Sequence, residues 1–127
     1  PTEVEIIEIL NRIKPPYNVN ELTQQRAKER LLKMDEVSQE IENILSERSK
    51  LEKKLEAISY VAKIYPSDAN FILVKVDDAN KRYDQLIEKK IVIRNRTAQA
   101  LCENTLRLTV GTKEENEKLL KALNEIE

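Results

Sequence analysis

Three arginines near the ends of predicted strands are the residues best suited to binding a ligand. Arg94 and Arg96 follow one short apolar run, and Arg107 interrupts another. Strand alternation places Arg107 on the face opposite Leu106 and Leu108. A guanidinium is a rigid fork of donors that matches a carboxylate or phosphate, so two forks on neighbouring strands suit a phosphate dianion. The alternative, that these arginines are ion-paired or simply on the surface, has the same spacing and stays open.

Other reactive side chains have simpler structural explanations. The sequence has no histidine, which excludes catalytic triads, Cys-His pairs and histidine-based metal sites. Cys102 is the single cysteine, so no intrachain disulfide can form, which fits a reducing compartment. Because there is no histidine to activate its thiol, Cys102 is interpreted as inert. The paired acids at 77–78 and 114–115 precede predicted helices, where carboxylates cap the first turn. No metal site and no catalytic residue is predicted.

The charge balance argues against nucleic acid and membrane partners. Lys and Arg total 22 against 23 Asp and Glu, whereas polyanion-binding proteins usually carry a basic surplus. Lys89 and Lys90, with the arginines that follow, form a basic stretch without interleaved aromatic residues, and lysines suit a helix C-terminus. No apolar run approaches the roughly 20 residues that cross a bilayer. Neither nucleic acid nor a membrane surface is therefore expected as a partner.

The N-terminal half is predicted to be helical. A capping-box spacing begins a helix at Thr2, the Pro15-Pro16 pair ends it, and Asn20 can cap the next helix. Residues 21–57 contain no Gly or Pro and carry a heptad-like apolar stripe, which indicates one long helix or two joined near Met34. The stripe is interpreted as a face buried within its own domain, with an intermolecular coiled coil as the alternative.

The C-terminal half changes to a β-β-α-β-β-α order. Strands are expected at 60–65, 71–76, 91–94 and 105–110, with a polar loop at 95–104. Asp77 or Asp78 caps the helix between the second and third strands, and Thr112 begins the last helix after Gly111. This order predicts an α+β fold: a small sheet of about three to four strands covered by helices and preceded by a long helical segment.

Four segments, in this order, resemble the histidinol-phosphate aminotransferase family of fold-type-I pyridoxal phosphate enzymes. They cover nearly the whole chain, and together they are specific. Residues 13–20, IKPPYNVN, resemble the family's KxPYNV link; residues 65–71, YPSDANF, resemble PSxANF; residues 91–96, IVIRNR, resemble GIxVRxR; and residues 106–112, LRLTVGT, resemble LRITVGT, with the acidic EEN following at 114–116.

The resemblance implies the C-terminal small domain of such an enzyme, with residues 1–20 as a linking helix and extended segment and 21–127 as the domain. It implies transfer of an amino group between L-histidinol phosphate and 2-oxoglutarate, giving imidazole acetol phosphate and glutamate. Pyridoxal phosphate would be the cofactor of the full-length enzyme, a cytoplasmic homodimer. Arg107 and Arg94 would bind the phosphate of the substrate or the carboxylate of the other substrate.

Two departures from the family pattern set further expectations. The cofactor-binding lysine, in an SKxxG-type motif, does not occur here, so this chain alone is expected to bind no cofactor and to be inactive. The start at Pro1, without methionine, suggests a truncated or processed chain.

Lys90 stands where GIxVR has glycine. The backbone at that position is often left-handed, a conformation that costs a lysine about 1 kcal/mol. The alternative function is a stand-alone, non-catalytic α+β interaction module that uses the long helix.

Overall fold

The computed structural model describes residues 2–14 and 19–126. Those residues form five helices and four strands, in two compact units, Pro1–Val37 and Ser38–Glu127. The elements are α1 (Glu3–Ile13), α2 (Glu21–Leu31), α3 (Met34–Leu55), β1 (Val61–Tyr65), β2 (Phe71–Val76), α4 (Ala79–Glu88), β3 (Arg94–Asn95), β4 (Thr105–Thr109) and α5 (Lys113–Glu125). The predicted α+β fold is confirmed.

The helices of the first unit begin where their caps predict. The Thr2 hydroxyl accepts from the Glu5 amide, whose carboxylate accepts from the Thr2 amide, and the Asn20 side chain accepts from the Thr23 amide at 2.9 Å. The helical stretch after Asn20 is two helices, because it is interrupted between Leu31 and Met34. Helix α1 ends before the predicted stop, but residues 15–18, with Tyr17 and Asn18, lie outside the described residues.

The second unit is organised around one four-stranded antiparallel sheet in the order β1-β2-β4-β3. The C-terminal part of the apolar stripe joins its core, because Leu51 and Leu55 on α3 and Ile58 just after it are buried, whereas Ile41 is half exposed. The sheet and the last two helices supply most of the remaining core, including Ile72, Val74, Leu86, Leu106, Leu108, Leu120 and Leu123. This arrangement leaves one face of the sheet to present polar side chains.

The third strand is the element that the sequence predicted wrongly. A strand was expected at 91–94, but β3 contains only Arg94 and Asn95. The Lys90 amide donates to the Ile87 carbonyl (2.8 Å) and the Ile91 amide to Leu86 (2.9 Å), the two bonds of a Schellman helix end. The chain is therefore still closing α4 where a strand was expected. Only Ile93 of the apolar run is buried, without belonging to a strand, whereas Val92 is exposed.

Among the residues that the structure describes, no helix is both long and apolar enough to cross a bilayer.

Candidate functional site

The sheet of the second unit has one covered and one open face. Along β2 the buried side chains are Ile72, Val74 and Val76, and along β4 they are Leu106 and Leu108. Thr105, at the start of β4, is also buried although it lies on the opposite face, where its hydroxyl donates to the Cys102 carbonyl. Because successive strand residues point to opposite faces, the residues between these positions project onto the open face. The predicted orientation of Arg107, opposite the two leucines, is confirmed.

The pairing of β3 with β4 brings the two predicted anion-binding arginines together. Arg94 and Arg107 are direct partners in the antiparallel register, so both side chains lie on the open face. Like charges directly opposite each other across a sheet repel and destabilise the pair. Neither guanidinium forms an ion pair with a carboxylate of the described residues. The arrangement thus places two cations side by side with no carboxylate between them among the described residues.

The environment of Arg107 orients its head group. Its guanidinium carbon lies 5.1 Å from the centroid of the Phe71 ring, which holds the side chain by a cation–π contact. Its Nε is buried and has no hydrogen-bond partner within the described part of the chain. Buried polar atoms are nearly always satisfied, so an orphaned donor here requires an explanation. A carboxylate or phosphate over the open face would supply the missing acceptor.

The third predicted arginine is engaged locally. The amide of Arg96 donates to the Thr105 carbonyl at 2.9 Å, and its guanidinium donates to the Gln99 side chain. Its side chain is half-buried rather than largely solvated as the sequence suggested. Arg96 therefore braces the 96–104 loop, and Arg94 and Arg107 form the pair.

The remaining reactive residues are structural, with one correction. Asp78 accepts from the Lys81 amide at 3.0 Å and is the cap of α4, and Glu115 belongs to the capping box of Thr112. Asp77 instead pairs with Arg82, and hydrogen bonds from that guanidinium lower the pKa of Asp77 to about 2. Cys102 is partly exposed, and no group of three metal-binding side chains occurs among the described residues.

Arg82 is a buried cation that the sequence analysis missed. It binds both Asp77 oxygens (3.0 and 2.7 Å), lies 3.9 Å from the Tyr60 ring centroid, and donates to the Ile126 carbonyl. The Tyr60 hydroxyl donates to Leu123 at 2.8 Å. These contacts join the C-terminal end of α5 to α4 and to Tyr60, the residue before β1. The hydrogen bonds to Asp77 raise the pKa of Arg82. No sequence signal separates this arginine from an exposed one on an amphipathic helix.

Two further cations that the sequence analysis did not single out lie on the open face. Lys63 on β1 pairs with Lys75 on β2 in the register, and both side chains are exposed. Strand alternation contained the signal, because Lys75 follows the buried Val74 by one position and therefore points the opposite way.

A pyridoxal phosphate site needs a lysine held against the cofactor, with an acid for the ring nitrogen and a phosphate cradle. Every lysine in the described ranges is exposed, and no carboxylate accompanies the unsatisfied Arg107. The open face carries two adjacent guanidinium groups, which are donors of the kind that suits an anionic group.

Comparison with known proteins identifies the family. A family model for aminotransferase class I and II matches residues 2–123. The histidinol-phosphate aminotransferase of Flavobacterium johnsoniae is 65% identical over 118 residues, which cover 93% of this chain and 34% of that protein. The enzyme of the same name from Christiangramia forsetii is 58% identical over 123 residues, 97% of this chain and 35% of that protein. The chain thus spans about a third of the length of the curated relatives it matches.

Solved structures agree with the sequence match. The crystal structure of the histidinol-phosphate aminotransferase from Clostridium acetobutylicum superposes with a TM-score of 0.83 at 25% identity, covering 96% of this chain and 37% of that one. A putative aminotransferase from Burkholderia pseudomallei K96243 gives a TM-score of 0.79 at 26% identity, covering 95% of this chain and 37% of that one. The resemblance found in the sequence is confirmed, and the chain belongs to the class I and II aminotransferase family.

Proposed function

We propose that this chain is the C-terminal small domain of a pyridoxal phosphate-dependent histidinol-phosphate aminotransferase. In this proposal residues 1–20 link it to the rest of the enzyme and residues 21–127 form the domain. The relatives are named for the reaction, and their names supply its class. The observation that carries the proposal is the cross-strand pair of Arg94 and Arg107, which lacks a carboxylate partner among the described residues.

The pair suits both substrates of the proposed reaction. L-histidinol phosphate carries a phosphate dianion, and 2-oxoglutarate carries a carboxylate at each end. Each has an anionic group whose oxygens can accept from two guanidinium forks. A charge-assisted hydrogen bond contributes about 1.5–3 kcal/mol, which is enough to hold the substrate in one orientation. Arg107 and Arg94 are therefore proposed as substrate-binding residues that serve both halves of the reaction.

The cofactor belongs to the longer enzyme in this account. When bound there, pyridoxal phosphate supplies the electron sink for amino-group transfer, while this chain contributes substrate orientation. The 127-residue chain by itself has no transaminase activity and forms no specific imine with the cofactor. We also propose that the full-length enzyme is a cytoplasmic homodimer.

The substrate assignment is tested with the full-length protein. Transamination by 2-oxoglutarate is measured with L-histidinol phosphate and, as the matched control, with L-histidinol, which lacks only the phosphate. The kcat/KM for the phosphorylated substrate is expected to be at least about 100-fold higher, because losing the anion leaves two arginines unpaired. Equal efficiencies for the two substrates would contradict the proposed phosphate recognition.

The expected inactivity of the chain alone has a direct spectroscopic test. Pyridoxal phosphate is titrated into the 127-residue chain, borohydride is added, and the labelled lysines are mapped by mass spectrometry. Low, scattered labelling is expected, since all described lysines are exposed. Stoichiometric labelling of one lysine would show a cofactor site within this chain.

A further inference from the structure

The strands of the sheet carry charge of one sign, and all of it lies on one face. The four strands contain four cations, Lys63, Lys75, Arg94 and Arg107, and no acidic residue. The chain as a whole has a net charge of −1, with 23 acidic residues. Segregation of four positive charges onto one sheet face is therefore a local feature and not a reflection of composition.

The register shows how these charges are arranged. Lys63 is opposite Lys75, and Arg107 is opposite Arg94. Lys75 is paired with Thr105, two positions from Arg107 on the neighbouring strand. Partners on adjacent strands have side chains about 5 Å apart, and diagonal neighbours about 7–8 Å apart. The lysine pair thus lies diagonally beside the arginine pair, and the four cations form a continuous band across the sheet.

The band contains two like-charge pairs, each of which opposes pairing of the strands. Lys63 is held above the ring of Tyr65, with its Nζ 4.7 Å from the ring centroid, so its charge stays over the open face. No ion pair with a described carboxylate offsets either lysine. The repulsion within each pair does not stabilise the fold, but the same positive charges would attract an anion that approaches this face.

We propose that Lys63 and Lys75 are steering residues that draw anionic substrates towards Arg94 and Arg107. This inference rests on the proposed function for the identity of the ligand, a dianionic phosphate ester or dicarboxylate. The lysines contact neither the reacting atoms nor the bound anionic group. Aligned charges over a low-dielectric sheet raise the local concentration of the substrate and its association rate.

The size of the effect follows from distance and screening. A dianion at the arginine pair lies about 8 Å from Lys75 and roughly 12 Å from Lys63, which is one strand further away. It is attracted to both through water, and salt near 0.1 M, with a Debye length of about 10 Å, removes roughly half or more of that attraction. Loss of both lysines should therefore weaken binding of a dianion about threefold to tenfold at low ionic strength. At about 1 M salt the Debye length is about 3 Å, and the difference should disappear.

The test begins with inorganic phosphate and this chain. Phosphate at pH 8 is titrated into the ¹⁵N-labelled chain, and its Kd is read from the guanidinium Nε–Hε signals of Arg94 and Arg107. The double variant Lys63→Gln/Lys75→Gln is compared with Lys53→Gln/Lys54→Gln, an equal charge change on an exposed turn of α3. The first is expected to raise the Kd threefold to tenfold at low salt, and the second less than twofold.

A parallel measurement in the full-length enzyme separates this inference from the proposed function. There the Lys63/Lys75 variant should lower kcat/KM for the phosphorylated substrate, leave kcat unchanged, and flatten the dependence on ionic strength. If the enzyme transaminates histidinol phosphate but both double variants bind phosphate like the wild type, the steering role is wrong and the function stands. If the lysine effect is present but histidinol phosphate is not a substrate, the proposed function is wrong and the anion-steering face stands.

Discussion

At the scale of residues, the arginine pair on the open face lowers the stability of the fold, and we propose that it binds an anion. Arg94 and Arg107 face each other as like charges, and the buried Nε of Arg107 has no partner within the described residues. Both features cost free energy in a chain that only has to fold. Residues that serve a ligand commonly carry such a cost, and removing them often stabilises the protein.

The first prediction tests this cost. Arg94→Gln should stabilise the chain by about 0.3–1 kcal/mol at low salt, because it removes repulsion across the β3–β4 pair. The free energy of unfolding is measured with urea at low salt and at about 1 M NaCl, where the gain should vanish. The control is Arg96→Gln, since Arg96 has Thr105 and not a cation beside it. A loss of stability in Arg94→Gln would show that Arg94 is a structural residue.

The second prediction concerns the pH dependence of the Asp77–Arg82 pair. The pKa of Asp77 is lowered from its usual 3.8 to about 2, so the stabilisation is complete above pH 4 and is lost as the pH falls towards 2. The Asp77 side chain is 46% exposed, so solvent screening limits the contribution to about 1–2 kcal/mol. Asp77→Asn should lose that amount at pH 7.

The measurement for this pair is urea unfolding at pH 7 and at pH 2. The stability difference between the wild type and Asp77→Asn should shrink at the lower pH, because wild-type Asp77 is then about half protonated in the folded state and almost fully protonated in the unfolded state. Asp84→Asn, on the exposed surface of α4, is the matched control and should change little at either pH. A pH-independent difference for Asp77→Asn would mean that its loss of stability comes from packing rather than from charge.

At the scale of elements, sequence patterns predicted what is local. Thr2, Asn20 and Thr112 cap helices as predicted, because capping needs only residues three positions apart. The strand at 91–94 failed because the Ile91 amide completes the end of α4, and of the apolar run only Ile93 is buried, in irregular chain, whereas Val92 is exposed. Local periodicity does not distinguish an apolar strand from an apolar loop that packs on the core.

The site shows the same division. The sequence was enough to pick out Arg107 as an anion-binding candidate and, by alternation with Leu106 and Leu108, to place it on the opposite face of the strand. Its position opposite Arg94, and the placement of Lys63 beside Lys75, depend on which strands pair and in what register. Register is decided by the tertiary arrangement of the sheet and by turn geometry, so a single sequence did not contain it in readable form.

The third prediction belongs to the end of α4. Lys90 has a φ of 62°, the left-handed conformation that a Schellman motif requires and that favours glycine. Lys90→Gly should therefore stabilise the chain by about 0.5–1 kcal/mol in urea unfolding. Lys89→Gly, at the neighbouring φ of −81°, is the control and should destabilise it. If Lys90→Gly lowered stability, the proposed cost of lysine at this position would be wrong.

At the scale of the whole molecule, stability resides in the second unit. Every buried residue that the structure describes lies between Leu51 and Ile126, whereas α1 and α2 contain none. Helix α1 exposes a set of large apolar side chains: Val4, Ile6, Ile7, Ile9, Leu10 and Ile13. The burial of apolar surface that drives folding is thus concentrated in residues 38–127.

The fourth prediction follows from this distribution. A truncated chain of residues 38–127 should unfold cooperatively, with a Tm within about 5 °C of the 127-residue chain, because no core residue has been removed. Thermal unfolding followed by circular dichroism measures both midpoints. The control is Leu55→Ala in the 127-residue chain, which should cost about 2–5 kcal/mol. Loss of cooperative unfolding in the truncated chain would show that residues 1–37 carry essential stability.

The central claim is that Arg107 and Arg94 bind the substrate anion of the full-length aminotransferase. It is tested most directly by steady-state kinetics of Arg107→Ala, Arg94→Ala and the double variant with histidinol phosphate. Arg107→Ala should lower kcat/KM about tenfold to a hundredfold, Arg94→Ala should behave similarly, and the double variant should be non-additive, because both arginines bind one group. Arg96→Ala should cost less than about 1 kcal/mol. Wild-type kcat/KM in Arg107→Ala would contradict the assignment and leave the pair as surface arginines.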